Sequence, residues 1–198
     1  PVVVKAHPAH PQLSIAVHEI VATALVAAGA PDGVFGIVHG FQAGQLLVTD
    51  PNIKAAAFTG SGPGGRALFD LAVSRPDPIP FYGELGSVNP VFVTPEAATR
   101  ENLPGDYLDS LLLGGGQFCT NPSVLFVPAG SGLVERIVEQ VSGRPAAVLL
   151  HAGVKDLFAR RSVQLAGLTD VEVIAGQPGV GDEPGFAQSP VLFRTTGE

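Results

Sequence analysis

The chain of 198 residues has no methionine, no tryptophan and one cysteine, Cys119. A single thiol closes no internal disulfide, which fits a reducing compartment such as the cytoplasm. Charged residues make up only 15%, and the net charge is −7. No lysine or arginine cluster interrupts that acidic balance, which argues against nucleic acid and against an anionic membrane surface as partners. There is no charged amino-terminal region followed by an apolar stretch and a cleavage site. Nor is there an apolar run of about 18 residues, so neither a signal peptide nor a membrane-spanning helix is expected. Repeats and low-complexity segments are missing too. With no methionine and a strand-like run at its start, the chain is expected to be an internal part of a longer protein. What remains is 45% hydrophobic, enough to bury the core of one ordinary domain or of two lobes.

Strand and helix signals alternate. Val2–Lys5 is a β-branched run ended by prolines, and residues 34–38 and 53–58 read as further strands. Residues 14–28 place Ile15, Ile20, Val21, Ala24, Leu25 and Ala28 at helical spacing, with Ser14 as the cap and Gly29 as the stop. Residues 43–48 form a short helix. Another helix begins near Ser61 and runs through residues 66–73 to a proline-rich stretch at 75–80. The first lobe is therefore predicted to hold a parallel sheet with crossover helices, an α/β fold. In the second lobe, opened by Glu84, strands are expected at 90–93, 123–127, Val171–Ala175 and 191–193. Helices are expected at 106–113, Leu133–Val141 and 155–165, with residues 177–185 a Gly/Pro-rich loop.

Two glycine-flanked segments carry the chemistry: Gly83-Glu84-Leu85-Gly86-Ser87-Val88-Asn89-Pro90 and Gly114-Gly115-Gly116-Gln117-Phe118-Cys119-Thr120-Asn121-Pro122. A free thiol with a pKa of about 8.5 is only about 3% ionised at pH 7, yet that fraction is strongly nucleophilic. A carboxylate held against a thiolate would raise both pKa values. Glu84 is therefore expected to act as a base after the sulfur has been consumed. The competing reading makes Cys119 a small buried hydrophobe.

Gly60-Ser61-Gly62-Pro63-Gly64-Gly65 matches the dinucleotide pattern of glycines between a strand and a helix. The acidic residue of that pattern should end the next strand. Glu84 lies at a suitable separation, but the prolines before it argue against a regular strand there. A glycine turn serving only strand–helix packing is the competing reading. His7 and His10 have the spacing of some zinc ligands, but flanking prolines and the lack of a cysteine pair argue against a metal site. Arg66 and Asp70 form an i, i+4 pair on a solvated face. Asn89 and Pro90 are expected to fix the strand entry.

The two glycine-flanked segments, in this order, resemble the aldehyde dehydrogenase superfamily, whose Glu-Leu-Gly-Gly-like turn carries the general base and whose Gly-Gln-x-Cys segment carries the nucleophile. Here Glu84-Leu85-Gly86 and Gly116-Gln117-Phe118-Cys119 occupy those places. Val2-Val3-Val4-Lys5 is similar to the family's strand ending in a ribose-binding lysine, and Phe58-Thr59-Gly60-Ser61 to its cofactor turn. The resemblance covers residues 2–194. Residues 5–11 and 78–90 look like the branch that includes 2,5-dioxopentanoate (α-ketoglutarate semialdehyde) dehydrogenases.

The resemblance implies a parallel-sheet aldehyde-dehydrogenase-like fold, with residues 1–83 as part of the NAD(P)-binding lobe and 84–198 as part of the catalytic lobe. It implies Cys119 and Glu84 as catalytic residues, and Lys5, His7, Gly40, Gly60, Ser61 and Leu85 as cofactor-binding residues. Gly40 matches the glycine beneath the adenine. The cofactor pyrophosphate is expected at the helix starting near Ser61, where free N–H groups and the helix dipole favour anions; Gly62 stands where many relatives carry threonine. His7, where many relatives carry proline, offers a donor near a 2′-phosphate and favours NADP over NAD, although an ordinary loop histidine is the competing reading. The implied reaction is NAD(P)-dependent oxidation of a small aldehyde by a cytoplasmic homo-oligomer. Broad aliphatic aldehyde oxidation, and an inert fragment that only binds cofactor, remain open. The family's oxyanion asparagine and its second ribose-binding glutamate are expected outside this chain.

Overall fold

The structure is a computed structural model that describes residues 1–179, 181 and 183–196. It separates into two units, Pro1–Gly86 and Ser87–Glu198. In the first, β1 (Val2–Lys5), α1 (Pro11–Ala27), β2 (Phe35–Val38), α2 (Phe41–Thr49), β3 (Ala56–Thr59), α3 (Gly62–Val73) and β4 (Phe81–Glu84) follow in order. Strands β1 and β2 pair in parallel from Val2 with Phe35 to Lys5 with Val38, and β3 and β4 do the same from Ala56 with Phe81 to Thr59 with Glu84. The expected single parallel sheet is thus realised as two separate parallel pairs among the described residues. Val48 of α2, Ala72 of α3 and Ile79 form the buried cluster beside β3 and β4. Arg75 donates to the Val48 carbonyl at 2.9 Å and ties the ends of α2 and α3 together.

Two expectations fail here for identifiable reasons. Helix α1 starts at Pro11 rather than Ser14, because proline suits the first turn of a helix; Ser14 lies inside it, its hydroxyl donating to the His10 carbonyl. Its inward stripe is also different. Ser14, His18, Val21, Ala22 and Leu25 are half-buried while Ile15 and Ile20 are exposed, and His18 stacks on Phe35 of β2 at 5.3 Å. Leu13, Val17 and Val26 make α1 apolar all round, so periodicity alone does not choose a face. The second correction concerns Glu84, which does end a strand. Pro78 and Pro80 stop short of β4, and the free edge of β3 supplies the ladder that the short segment lacks by itself.

The second unit runs β5 (Pro90–Phe92), α4 (Pro95–Ala98), α5 (Leu103–Leu112), a 3-10 turn (Leu113–Gly116), β6 (Val124–Phe126), α6 (Leu133–Val141), β7 (Ala147–Val148), α7 (Ala152–Ala166), β8 (Val171–Ala175), β9 (Ala187–Gln188) and β10 (Leu192–Thr195). Strands β5 and β6 are parallel, whereas β7 with β9 and β8 with β10 are antiparallel. The two-residue strands β7 and β9 and the one-turn helix α4 were too short to leave a pattern in the sequence. Of the expected loop at 177–185, the described residues form neither helix nor strand; Val180 and Asp182 lie outside the described residues.

Leu133, Ile137 and Val141 recur at i, i+4 and i+8, so α6 buries one face against Leu108 of α5 and Ala98 of α4. Arg136 closes the contact by donating to the carbonyls of Ala98 and Arg100. Tyr107 packs on the same cluster and donates its hydroxyl to the Pro122 carbonyl at 3.0 Å. This bond anchors the segment just after Cys119. Lys155, expected simply to begin a helix, is buried inside α7 and donates to the carbonyls of Glu183 and Gly185.

Leu133 is fully enclosed, so Leu133→Ala should cost about 2–5 kcal/mol in denaturant unfolding. Burial raises the Tyr107 phenol above its ordinary range. The unfolded phenol ionises first, so this contribution to stability is complete below the ordinary tyrosine pKa and is lost as pH rises through the folded value. Tyr107→Phe should flatten that alkaline loss in urea unfolding followed against pH. At neutral pH it should cost roughly 1–3 kcal/mol, because the Pro122 carbonyl loses its donor.

Candidate active site

In the first unit, every residue named for cofactor binding lies at or just beyond the carboxyl end of a parallel strand, the side on which such sheets bind ligands. Lys5 ends β1 with its stem against α2, where a Cβ added to Gly44 would meet Lys5 Cγ at 3.5 Å. His7 is exposed beyond it, and its Nδ1 accepts from the Ala9 N–H at 3.2 Å. Gly40 caps α2 at φ +94°, a conformation that favours glycine, and a Cβ added there would meet nothing within 4 Å. The surface above Gly40 is open, as a seat for a flat ring requires.

Gly60 follows β3 and donates its N–H to the Glu84 carbonyl at 3.0 Å, joining the glycine turn to the end of β4. Ser61 caps α3, its hydroxyl accepting from the Gly64 N–H at 3.3 Å and its carbonyl from the Gly65 N–H at 2.9 Å. These bonds take up two of the donors expected there. Pro63 has no N–H, and Gly64 and Gly65 are paired. Among the described residues, Gly62 alone in the first turn keeps its N–H without a protein partner. That donor, the Ser61 hydroxyl and the helix dipole fit a phosphate oxygen. Leu85 lies against the same turn: a Cβ added to Gly65 would sit 2.0 Å from Leu85 Cδ2. The glycine at 65 therefore lets the segment carrying Glu84 and Leu85 close onto α3. The Glu84 side chain is exposed.

In the second unit, the 3-10 turn after α5 ends in three consecutive glycines, Gly114, Gly115 and Gly116, at φ +59°, +69° and +72°. Each occupies the left-handed region, where a side chain is disfavoured, so the chain can reverse sharply before Cys119. Gln117 bridges this turn to the strand β7 region. Its Nε2 donates to the Gly114 carbonyl at 2.8 Å and to the Val148 carbonyl at 3.4 Å, and its Oε1 accepts from the Leu150 N–H at 2.9 Å. Cys119 is exposed, so the buried-hydrophobe reading is set aside. Its carbonyl accepts from Ser87 Oγ at 2.6 Å and Asn89 Nδ2 at 2.7 Å. Asn89 also donates to the Asn121 carbonyl at 3.0 Å, and Asn121 Nδ2 donates to the Leu111 carbonyl at 2.6 Å. Among the described residues the Cys119 N–H makes no hydrogen bond, which leaves it open to an oxyanion.

Gln117, Ser87, Asn121 and Tyr107 had no assigned part in the sequence reading, and Asn89 was expected only to fix a strand entry. The available signal was a set of amide and hydroxyl residues flanking glycine-rich backbone whose polar groups need partners. Arg66 and Asp70 pair at 2.9 Å on an exposed face. Among the described residues no group of three or more histidine, cysteine, aspartate or glutamate side chains is placed to hold a metal, and no helix is long and apolar enough to cross a membrane.

The aldehyde dehydrogenase family pattern matches residues 1–153. Alpha-ketoglutaric semialdehyde dehydrogenase 2 of Azospirillum brasilense is 40% identical over 185 residues, covering 89% of this chain and 35% of that protein. The alpha-ketoglutaric semialdehyde dehydrogenase of Acinetobacter baylyi is 40% identical over 157 residues, covering 77% of this chain and 30% of that protein. The chain thus spans about a third of the length of these curated relatives. Among solved structures, an NAD-dependent aldehyde dehydrogenase from Sinorhizobium meliloti superposes with a TM-score of 0.75 at 26% identity, covering 96% of this chain and 39% of that one. With the family pattern matched over most of its length, and with the strand ends, glycine turn and cysteine loop arranged as described, the chain belongs to the aldehyde dehydrogenase family.

Proposed function

We propose that the protein oxidises an aldehyde to a carboxylic acid through a covalent Cys119 intermediate, with NADP preferred over NAD and 2,5-dioxopentanoate, giving 2-oxoglutarate, as the substrate. The observation that carries this reading is an exposed thiol whose own residue's carbonyl is held by two side chains while its N–H stays open. The substrate rests on the 40% identity to two alpha-ketoglutaric semialdehyde dehydrogenases. We further propose a cytoplasmic homo-oligomer.

The Cys119 thiolate attacks the aldehyde carbon and forms a thiohemiacetal, whose oxyanion takes the Cys119 N–H as a donor. When bound, the oxidised nicotinamide cofactor supplies the hydride acceptor that makes a thioester reachable. Lys5, Gly40, Gly60, Ser61 and Leu85 are the residues that would hold the cofactor: Lys5 would bond the adenosine ribose, Gly40 would leave room for the adenine, and the turn at Gly60 and Ser61 with Leu85 would hold the remainder. His7 adds a donor toward a 2′-phosphate. Glu84 then removes a proton from the water that hydrolyses the thioester, releasing the acid and restoring the thiol. The order matters electrostatically: an acylated sulfur carries no negative charge, so hydrolysis does not need a carboxylate beside a thiolate, which would raise both pKa values.

Glu84→Gln should leave the first-turnover burst of reduced cofactor intact and slow turnover by about 10²–10⁴-fold as thioester accumulates, read by rapid-mixing absorbance and by mass spectrometry of trapped Cys119. Loss of the burst as well would remove Glu84 from the hydrolytic role. For cofactor choice, His7→Ala should lower kcat/KM with NADP by about tenfold and leave the NAD value nearly unchanged, as expected for one lost hydrogen bond to a charged group. Equal losses with both cofactors would show that His7 does not meet the 2′-phosphate.

A further inference from the structure

In the second unit the Cys119 carbonyl takes two side-chain donors. Two donors from one short segment, Ser87 Oγ at 2.6 Å and Asn89 Nδ2 at 2.7 Å, meet on this single oxygen, and the same Asn89 amide reaches the Asn121 carbonyl at 3.0 Å. Two bonds on one carbonyl oxygen use both of its lone pairs and fix its direction. They hold the ψ angle of Cys119, and with it the direction in which the next peptide leaves the residue. On the other flank, Gln117 fixes the glycine turn. Cys119 is therefore held from both sides although its side chain is exposed.

A glycine-rich loop would otherwise be a poor place for a nucleophile. Three glycines in series widen the backbone ensemble, and placing a reacting atom about 1 Å away from its productive position costs on the order of 10²-fold in rate. Structural need alone does not explain the arrangement. Ser87 is exposed and Asn89 only half-buried, so neither fills core space, and Tyr107 and the Asn121 side chain already anchor the loop to α5.

We propose that Ser87 and Asn89 are positioning residues for the nucleophile: their shared grip on the Cys119 carbonyl keeps the thiol and the adjacent N–H turned toward the same substrate carbonyl. This role rests on the reading of Cys119 as the nucleophile, and its test is divided so that the two can fail separately. Cys119 is the only cysteine among these 198 residues, so in this chain a nitroxide attached to it reports loop motion without engineering. In Asn89→Ala and Ser87→Ala the label should become markedly more mobile, while the denaturant midpoint moves little and Ser87→Thr, which keeps the hydroxyl, restores the wild-type spectrum. In unlabelled protein, the burst rate of reduced cofactor should fall by at least about tenfold in Asn89→Ala with KM for the aldehyde nearly unchanged. A label equally ordered in both alanine variants overturns the proposal. So does a mobile label with an undiminished burst. Wild-type protein that shows an ordered, clamp-dependent label but forms no covalent adduct with aldehydes overturns the reaction assigned to Cys119 while leaving the grip on its carbonyl demonstrated.

Discussion

Between α5 and β6 the backbone passes through three glycines in the left-handed region, a path that offers no ladder to its successive carbonyls and N–H groups. Polar backbone without a partner is costly, so the partners come from side chains. Gln117 pairs with the turn and with the segment after β7, Ser87 and Asn89 with Cys119, Asn121 with α5, and Tyr107 with Pro122. The core beneath keeps this frame in place. Leu133, Ile137 and Val141 hold α6 against α5, and α5 in turn supplies Tyr107 and the Leu111 carbonyl. Packing, side-chain hydrogen bonds and an exposed thiol thus form one chain of dependence.

The first unit solves a different problem with different means. Parallel strand pairs put their carboxyl ends on one side of each pair, and there glycines let backbone and side chains approach closely. Gly65 admits Leu85, Gly60 bonds to the end of β4, and Gly40 turns the chain into α2. Ser61 uses its own hydroxyl on the first turn of α3, which leaves a smaller set of donors for an anion than a bare helix start would offer. Lys5 ends β1 in a chain that is only 15% charged.

Legibility in the sequence followed the strength of the local pattern. β1, α6 and β8 match their expected bounds because a β-branched run or a clean i, i+4, i+8 stripe admits one reading. The inward face of α1 was misread because apolar residues surround that helix. β4 was hidden because its ladder partner, β3, lies outside its own residues. In the candidate site, glycine-flanked motifs identified Cys119, Glu84, Gly60 and Ser61 as residues to watch. The bonds that hold the Cys119 carbonyl left no trace there, since Ser87 and Asn89 are 32 and 30 positions distant in the chain.

The sequence by itself determined the family, the alternation of strand and helix, the lone thiol and the places where glycine must bend the backbone. Those are properties of residue type, order and local periodicity. Only the tertiary structure decided which face of α1 turns inward, that Glu84 ends a strand, and which side chains hold the Cys119 loop. Each of these depends on which distant segment supplies the missing hydrogen-bond or packing partner, and that is settled only when the chain folds back on itself.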